Sequence, residues 1–260
     1  MNSGQRTLLA RCAVVWIAAL TPALAGAAPS PLAPRGDDTP AQPAKEKTPL
    51  EIAMARFKTA SDDLSAAIEK EKAELVATID KEIEKRRDGL GGASGRNEET
   101  LAEIDRLTAE RTSFLGKGFV PLSKPLRKAS MDYVAAVRRA RDDAKPKFDS
   151  VERTIAGLKN EGALRTVQGR AKEFLSPKAI AKFRYRWAPG KVAEWTLYDD
   201  GRLNADATWT SDGDTFVFRG ADKTTLKGGA WKDTCRLSDD GRTLDGKNTL
   251  GHQKHGERID

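Results

Sequence analysis

The stretch LYDDGRLNADATW, residues 197–209, sets an Asp-Gly pair between two runs in which apolar and polar residues alternate. Trp195 and Leu197 share one face before the pair; Leu203, Ala205, Ala207 and Trp209 share one after it. A period of two marks a half-buried strand, and glycine after aspartate accepts the positive φ of a tight hairpin turn. Residues 237–248 read LSDDGRTLDGKN, so Leu-x-Asp-Asp-Gly-Arg occurs twice. More Asp-Gly pairs stand at 212–213 and 245–246, and Phe216, Phe218, Cys235 and Leu237 continue the alternation. The spacing predicts five to seven short strands over about 184–260, forming a small antiparallel β-meander or lipocalin-like sheet.

Working outward toward the N-terminus, the period changes. Met54, Phe57, Leu64, Ile68, Leu75, Ile79 and Ile83 recur every three or four residues, a helical stripe that should end near Arg87 or Asp88, before the glycines of DGLGGASG. Leu101, Ile104, Leu107, Arg111 and Leu115 form a second stripe, with Asn97 placed to cap it. The pattern then returns: FKTASDDLSAAI (57–68) aligns without gaps on LRKASMDYVAAV (126–137), and IDRLTAERTSFL (104–115) on LRTVQGRAKEFL (164–175). Two long-short helical hairpins are therefore expected, at about 57–115 and 126–175, as a bundle or coiled coil over 50–178. Pro146 should kink or break the third helix. The basic runs EKRR, VRRAR and KPK read as solvated outer faces. The fold class is thus α+β: long antiparallel helical hairpins followed by a small sheet.

The first 27 residues read as a secretory signal peptide. Arg6 and Arg11 precede the apolar run CAVVWIAALTPALA, and small residues follow at a cleavage position. Residues 28–49 are proline-rich with almost no bulky apolar side chain, a disordered tether. These features place the chain in the periplasm or outside the cell, with no membrane-spanning helix after cleavage. Cys235 is then the lone cysteine, excluding an internal disulfide. Most of the positive excess lies in residues 45–186, which hold 31 Lys and Arg against 23 Asp and Glu. The helical segment has few aromatics to stack on bases, which argues against nucleic acid and leaves an anionic envelope surface as a partner.

The stretches YVAAVRRARDDAKPKFDSVERTIAGLKNEGALRTVQGRAKEFL (133–175) and TWTSDGDTFVFR with GGAWKDTCRLSDDGRTLDGKNTLG (208–219 and 228–251) resemble exported proteins common in planctomycete-type bacteria. The resemblance implies a small β-meander or lipocalin-like module and carries no active site.

The chemistry that could occupy the module is limited. Adjacent aspartates point to opposite sides of an extended chain and lack the alternation of a calcium loop. Cys235, His252 and His255 are a weak zinc set. No P-loop, nucleophile elbow or His-Glu-x-x-His occurs, so neither cofactor nor metal is expected. The expected activity is non-enzymatic: a scaffold presenting a tryptophan-rich module to carbohydrate or another envelope component. Trp187 and Trp195, flanking APGK, are the expected surface pair, with Asp200, Arg202, Asp240, Arg242 and Asn248 as turn residues for hydroxyl contacts. Trp209 and Trp231 read as core. The alternatives are a hydrolase of glycans or esters using carboxylates such as Asp199 and Asp239, and a structural protein self-associating through its helices.

Overall fold

The computed structural model describes residues 46–91, 97–188, 190–204, 207–222 and 229–260. The expected signal peptide and most of the tether lie outside them. The side chain of Trp187 does too, although its backbone belongs to a strand.

Among the described residues four α-helices come first: α1 (Pro49–Asp88), α2 (Asn97–Lys117), α3 (Lys124–Gly157) and α4 (Glu161–Leu175). Thr48 starts α1 with a capping box, its hydroxyl accepting from Glu51 N–H while Glu51 accepts from Thr48 N–H. At 40 residues α1 is about 60 Å long. Helix α3 runs through Pro146 unbroken. Pro146 and Asp142, whose carbonyl loses its donor, lie on the solvent side, while Ala144 and Phe148 hold the helix in the core.

The principal pair is α1 against α3, antiparallel. Phe57 meets Phe148 with ring centroids 5.1 Å apart, whereas Leu75, Ile79 and Ile83 share a cluster with Leu126 and Val134. The short helices cover opposite ends of this pair. Helix α2 lies on the C-terminal half of α1, tied by Arg111 to Asp80 at 2.6 Å, and Phe174 of α4 stacks on Phe148.

The sheet is a closed barrel of eight antiparallel strands in chain order, not a meander of five to seven. The strands are β1 (Ala179–Ala188), β2 (Lys191–Tyr198), β3 (Arg202–Leu203), β4 (Ala207–Asp212), β5 (Thr215–Asp222), β6 (Gly229–Leu237), β7 (Thr243–Asn248) and β8 (Gln253–Arg258). Closure comes from β1, which pairs Phe183 with Trp195 of β2 and with Arg258 of β8. The interior is filled by Phe183, Tyr185, Trp195, Leu197, Leu203, Trp209, Phe216, Phe218, Cys235, Leu237 and Leu244, none more than 8% exposed. Gly220 makes room for Trp231, whose indole lies 2.6 Å from where a Cβ would stand.

Residues 46–260 form one compact unit. One hydrophobic cluster runs without a break from Leu75, Leu107 and Phe114 through Val120 and Leu122 into the barrel core. The change from helix to strand is therefore no break in packing.

Candidate functional site

In an up-and-down barrel, alternate turns collect at each end. The turns at 199–201, 213–214 and 238–242 lie at the end facing the helices, and those at 189–190 and 249–252 lie at the far end. The two Asp-Asp-Gly-Arg sequences are thus corresponding corners of the helix end, and they are built alike. The second aspartate folds its own turn: Asp200 accepts from Arg202 N–H at 3.0 Å, and Asp240 from Arg242 N–H at 3.0 Å. The first reaches a cation of α3: Asp199 bonds Arg141 at 2.5 Å, and Asp239 meets Lys124 at 3.1 Å. The glycines have φ of +87° and +74° and bring the turn against the helical part. A Cβ on Gly201 would stand 3.1 Å from Arg138 Nη2, and one on Gly241 2.5 Å from the Leu122 carbonyl carbon.

A third corner is clamped by Arg127 of α3, which pairs with Asp214 and donates to Leu122 O at 3.0 Å and Ser238 O at 2.5 Å. Arg127 is 3% exposed. Arg138 donates to Asp199 O at 3.1 Å. The VRRAR run is therefore not wholly a solvated face, because Arg138 and Arg141 serve as docking residues. Helical periodicity could have flagged Arg127 and Arg141, since Arg127, Ser130, Val134, Val137 and Arg141 share a face.

Beside the second corner, α1, α2 and the start of α3 enclose an open cleft of about 670 Å³. Arg86, Arg106 and Lys124 line it with Glu103, Ser238, Asp239 and Asp240. Glu103 accepts from Arg86 at 2.9 Å and Arg106 at 3.2 Å, and Arg86 also pairs with Glu82. The hydrogen bond from Arg86, with the charges of Arg86 and Arg106, holds the Glu103 carboxyl below its ordinary range although burial opposes it. Burial pushes Asp240 up, but the Ser238 hydroxyl at 2.6 Å, the Arg242 N–H and the charge of Arg106 outweigh it and leave the carboxyl lowered. EKRR thus supplies Arg86 to the cleft, which reading the run as an outer face missed; the lone signal was its place on the core-facing edge of the stripe.

The expected binding residues do not form one site. Asp200 and Arg202 stand at the β2–β3 turn and Asp240 and Arg242 at the β6–β7 turn, four strands apart around the barrel. Asn248 is at the other end, where its side chain accepts from Leu250 N–H and His252 N–H. Trp195 is not a surface residue: 8% exposed, it is stacked on Tyr185 at 3.6 Å inside the barrel. Alternation on β2 dictates this, since Trp195 shares the inward face with Leu197. Trp231, read as core, is half-buried at the far end, 5.7 Å from Trp195. Asp199 and Asp239 do not face each other across a cleft, each being engaged by a cation of α3.

Two further sets of polar groups stand in the barrel wall. Inside, Tyr185 donates to Asp233 at 3.0 Å and lies 3.3 Å from Cys235 Sγ, with Lys254 buried nearby. Burial raises Asp233 even against the charge of Lys254, and pushes the Cys235 thiol up to about 11. On the outer face His255 bonds Asp245 at 2.7 Å. Cys235, His252 and His255 are thus separated, and among the described residues no three His, Cys, Asp or Glu side chains converge as a metal site. No protein-family model, curated protein or solved structure matches this chain.

Proposed function

We propose that the protein is an exported, non-enzymatic binding scaffold that takes an acidic saccharide or a similar carboxylated envelope component in the cleft beside the second Asp-Asp-Gly-Arg corner. The observation that carries this reading is the convergence of Arg86, Arg106 and Lys124 from three helices with Ser238 and Asp240 of the barrel around one concavity of about 670 Å³. Guanidinium forks suit a carboxylate, which would take over Arg86 and Arg106 from Glu103 and Lys124 from Asp239, and the hydroxyl and carboxylate of the turn suit sugar hydroxyls. Hydrolysis of a glycosidic bond needs one carboxyl kept protonated as general acid. Glu103 and Asp240 are both shifted the other way, which favours binding over catalysis. Export rests on the N-terminal Arg6, Arg11 and the apolar run after them.

Screening the chain against uronate-containing and neutral glycans tests this. Retention of uronate glycans, reduced at least about tenfold by Arg106→Ala, is the expected result. Asp200→Asn, in the twin corner away from the cleft, should leave binding unchanged. No retention, or equal effects of the two substitutions, would overturn the reading.

A further inference from the structure

The two ends of the barrel differ in how their charges are answered. At the helix end, Asp199, Asp214 and Asp239 are met by Arg141, Arg127 and Lys124. At the far end, Arg186, Lys191, Lys232 and Lys247 are exposed, and none forms an ion pair among the described residues. The nearby carboxylate of Glu194 stands opposite Arg184 in the β1–β2 register.

Two apolar side chains project at the same end. Val192, at the start of β2, is 53% exposed, and Leu250, in the β7–β8 turn, is 76% exposed. Strand β8 pairs with β1 and β1 with β2, so these two hairpins are neighbours on the rim. A single exposed leucine is ordinary. Apolar side chains on adjacent hairpins, flanked by cations without an ion pair among the described residues, match the boundary between lipid headgroups and acyl chains.

We propose that this rim docks on an anionic phospholipid bilayer, Val192 and Leu250 entering the headgroup layer while Arg186, Lys191, Lys232 and Lys247 meet the phosphates. A soluble polyanion would engage the cations but leave both apolar tips in water, so a bilayer answers more of the surface. Attraction to an anionic leaflet acts within a Debye length, the reach of side chains at a rim. The docking is separate from the cleft, which lies at the other end of the barrel.

Vesicle sedimentation of residues 46–260, the compact unit with its own core, tests the proposal. Vesicles of phosphatidylcholine alone are compared with vesicles carrying about 30 mol% phosphatidylglycerol at about 0.1 M salt. The expected result is binding to the second only. The pair Val192→Ser and Leu250→Ser should weaken it at least about fivefold, and Lys191→Ser with Lys247→Ser at least about tenfold. Circular dichroism and an unchanged thermal midpoint establish that the variants fold. Arg106→Ala should leave vesicle binding intact, so failure of the cleft reading and failure of this one are separately visible. Absence of binding to anionic vesicles, or binding indifferent to the two apolar tips, would overturn the proposal; the latter would leave a polyanion as the partner.

Discussion

Three glycines at the helix end of the barrel measure how tightly the turns are docked. Gly201, Gly213 and Gly241 all follow aspartate and have φ of +87°, +57° and +74°. Alanine at each should cost about 1–2 kcal/mol for the left-handed backbone. Their surroundings then separate them. A Cβ at Gly213 meets nothing within 4 Å; at Gly201 it meets the end of a flexible arginine; at Gly241 it falls 2.5–2.7 Å from Leu122 and Ser123 backbone atoms. Backbone cannot step aside as a side chain does, so Gly241→Ala should add about 1–3 kcal/mol of overpacking. The expected order of destabilisation is Gly213→Ala, then Gly201→Ala, then Gly241→Ala at about 3–4 kcal/mol. Urea unfolding of the full chain followed by far-UV circular dichroism gives the three values. Equal losses for Gly213→Ala and Gly241→Ala would refute the claim that the second Asp-Asp-Gly-Arg turn is pressed against the helical part.

Arg127→Met should cost about 3 kcal/mol by the same assay. It strands the carbonyls of Leu122 and Ser238 and leaves Asp214 only the longer contact to Arg236 at 3.6 Å. Cys235 should resist a thiol-specific disulfide reagent at neutral pH until the chain unfolds, because it is 1% exposed and its thiol is pushed up to about 11. Glu103 and Asp240 are lowered in the folded chain, so their stabilisation is present above their ordinary values of 4.5 and 3.8 and is lost as pH falls through the folded values. The thermal midpoint should therefore fall on acidification, less steeply in Glu103→Gln. Asp233 is raised by burial and works with the opposite sign, costing stability as pH rises above 3.8; Asp233→Asn should remove that loss.

The helices were the most legible part of the chain because their stripes are long and the first break is chemically marked, by glycine at 89 and 91–92; the cap of α4 at Asn160 came only with the structure. Strand number and closure were not legible, and β8 explains why. QKHGER has no large apolar residue; inside the barrel it contributes only buried Lys254, Gly256 and half-buried Arg258, so no alternation marks it. The α1–α3 pairing was equally hidden, since a stripe tells which face is buried and not by what. Among the expected binding residues, the turn role of Asp200 and Asp240 was readable from local chemistry. Their separation around the barrel depended on its closure and was not.

The partial match between the two hairpins gains a geometric meaning from that pairing. A shift of 69 carries Phe57 to Leu126 and Ile79 to Phe148. Phe57 and Phe148 touch in the cluster away from the barrel, and Leu126 and Ile79 are both fully buried in the cluster beside it. A shift of 60 carries Leu107 to Val167 and Phe114 to Phe174, again one from each cluster. This is what two like hairpins crossing about a local two-fold produce, each end of the long pair receiving one short helix. The ends differ where the barrel docks. The Lys58 side chain lies on the surface, 77% exposed and paired with Asp62 one turn away; the side chain of its equivalent Arg127 is 4% exposed and holds three groups at the barrel end. Glu69 is exposed, while its equivalent Arg138 donates to a turn carbonyl. Arg127 meets the Asp214 carboxylate and the Leu122 and Ser238 carbonyls through three separate nitrogens, Nη1, Nε and Nη2, positions that the single ammonium nitrogen of lysine cannot span. The docking of the barrel is thus written in the positions where the second hairpin departs from the first, and Arg127→Lys should lose most of the stability that Arg127→Met loses even though the charge is kept.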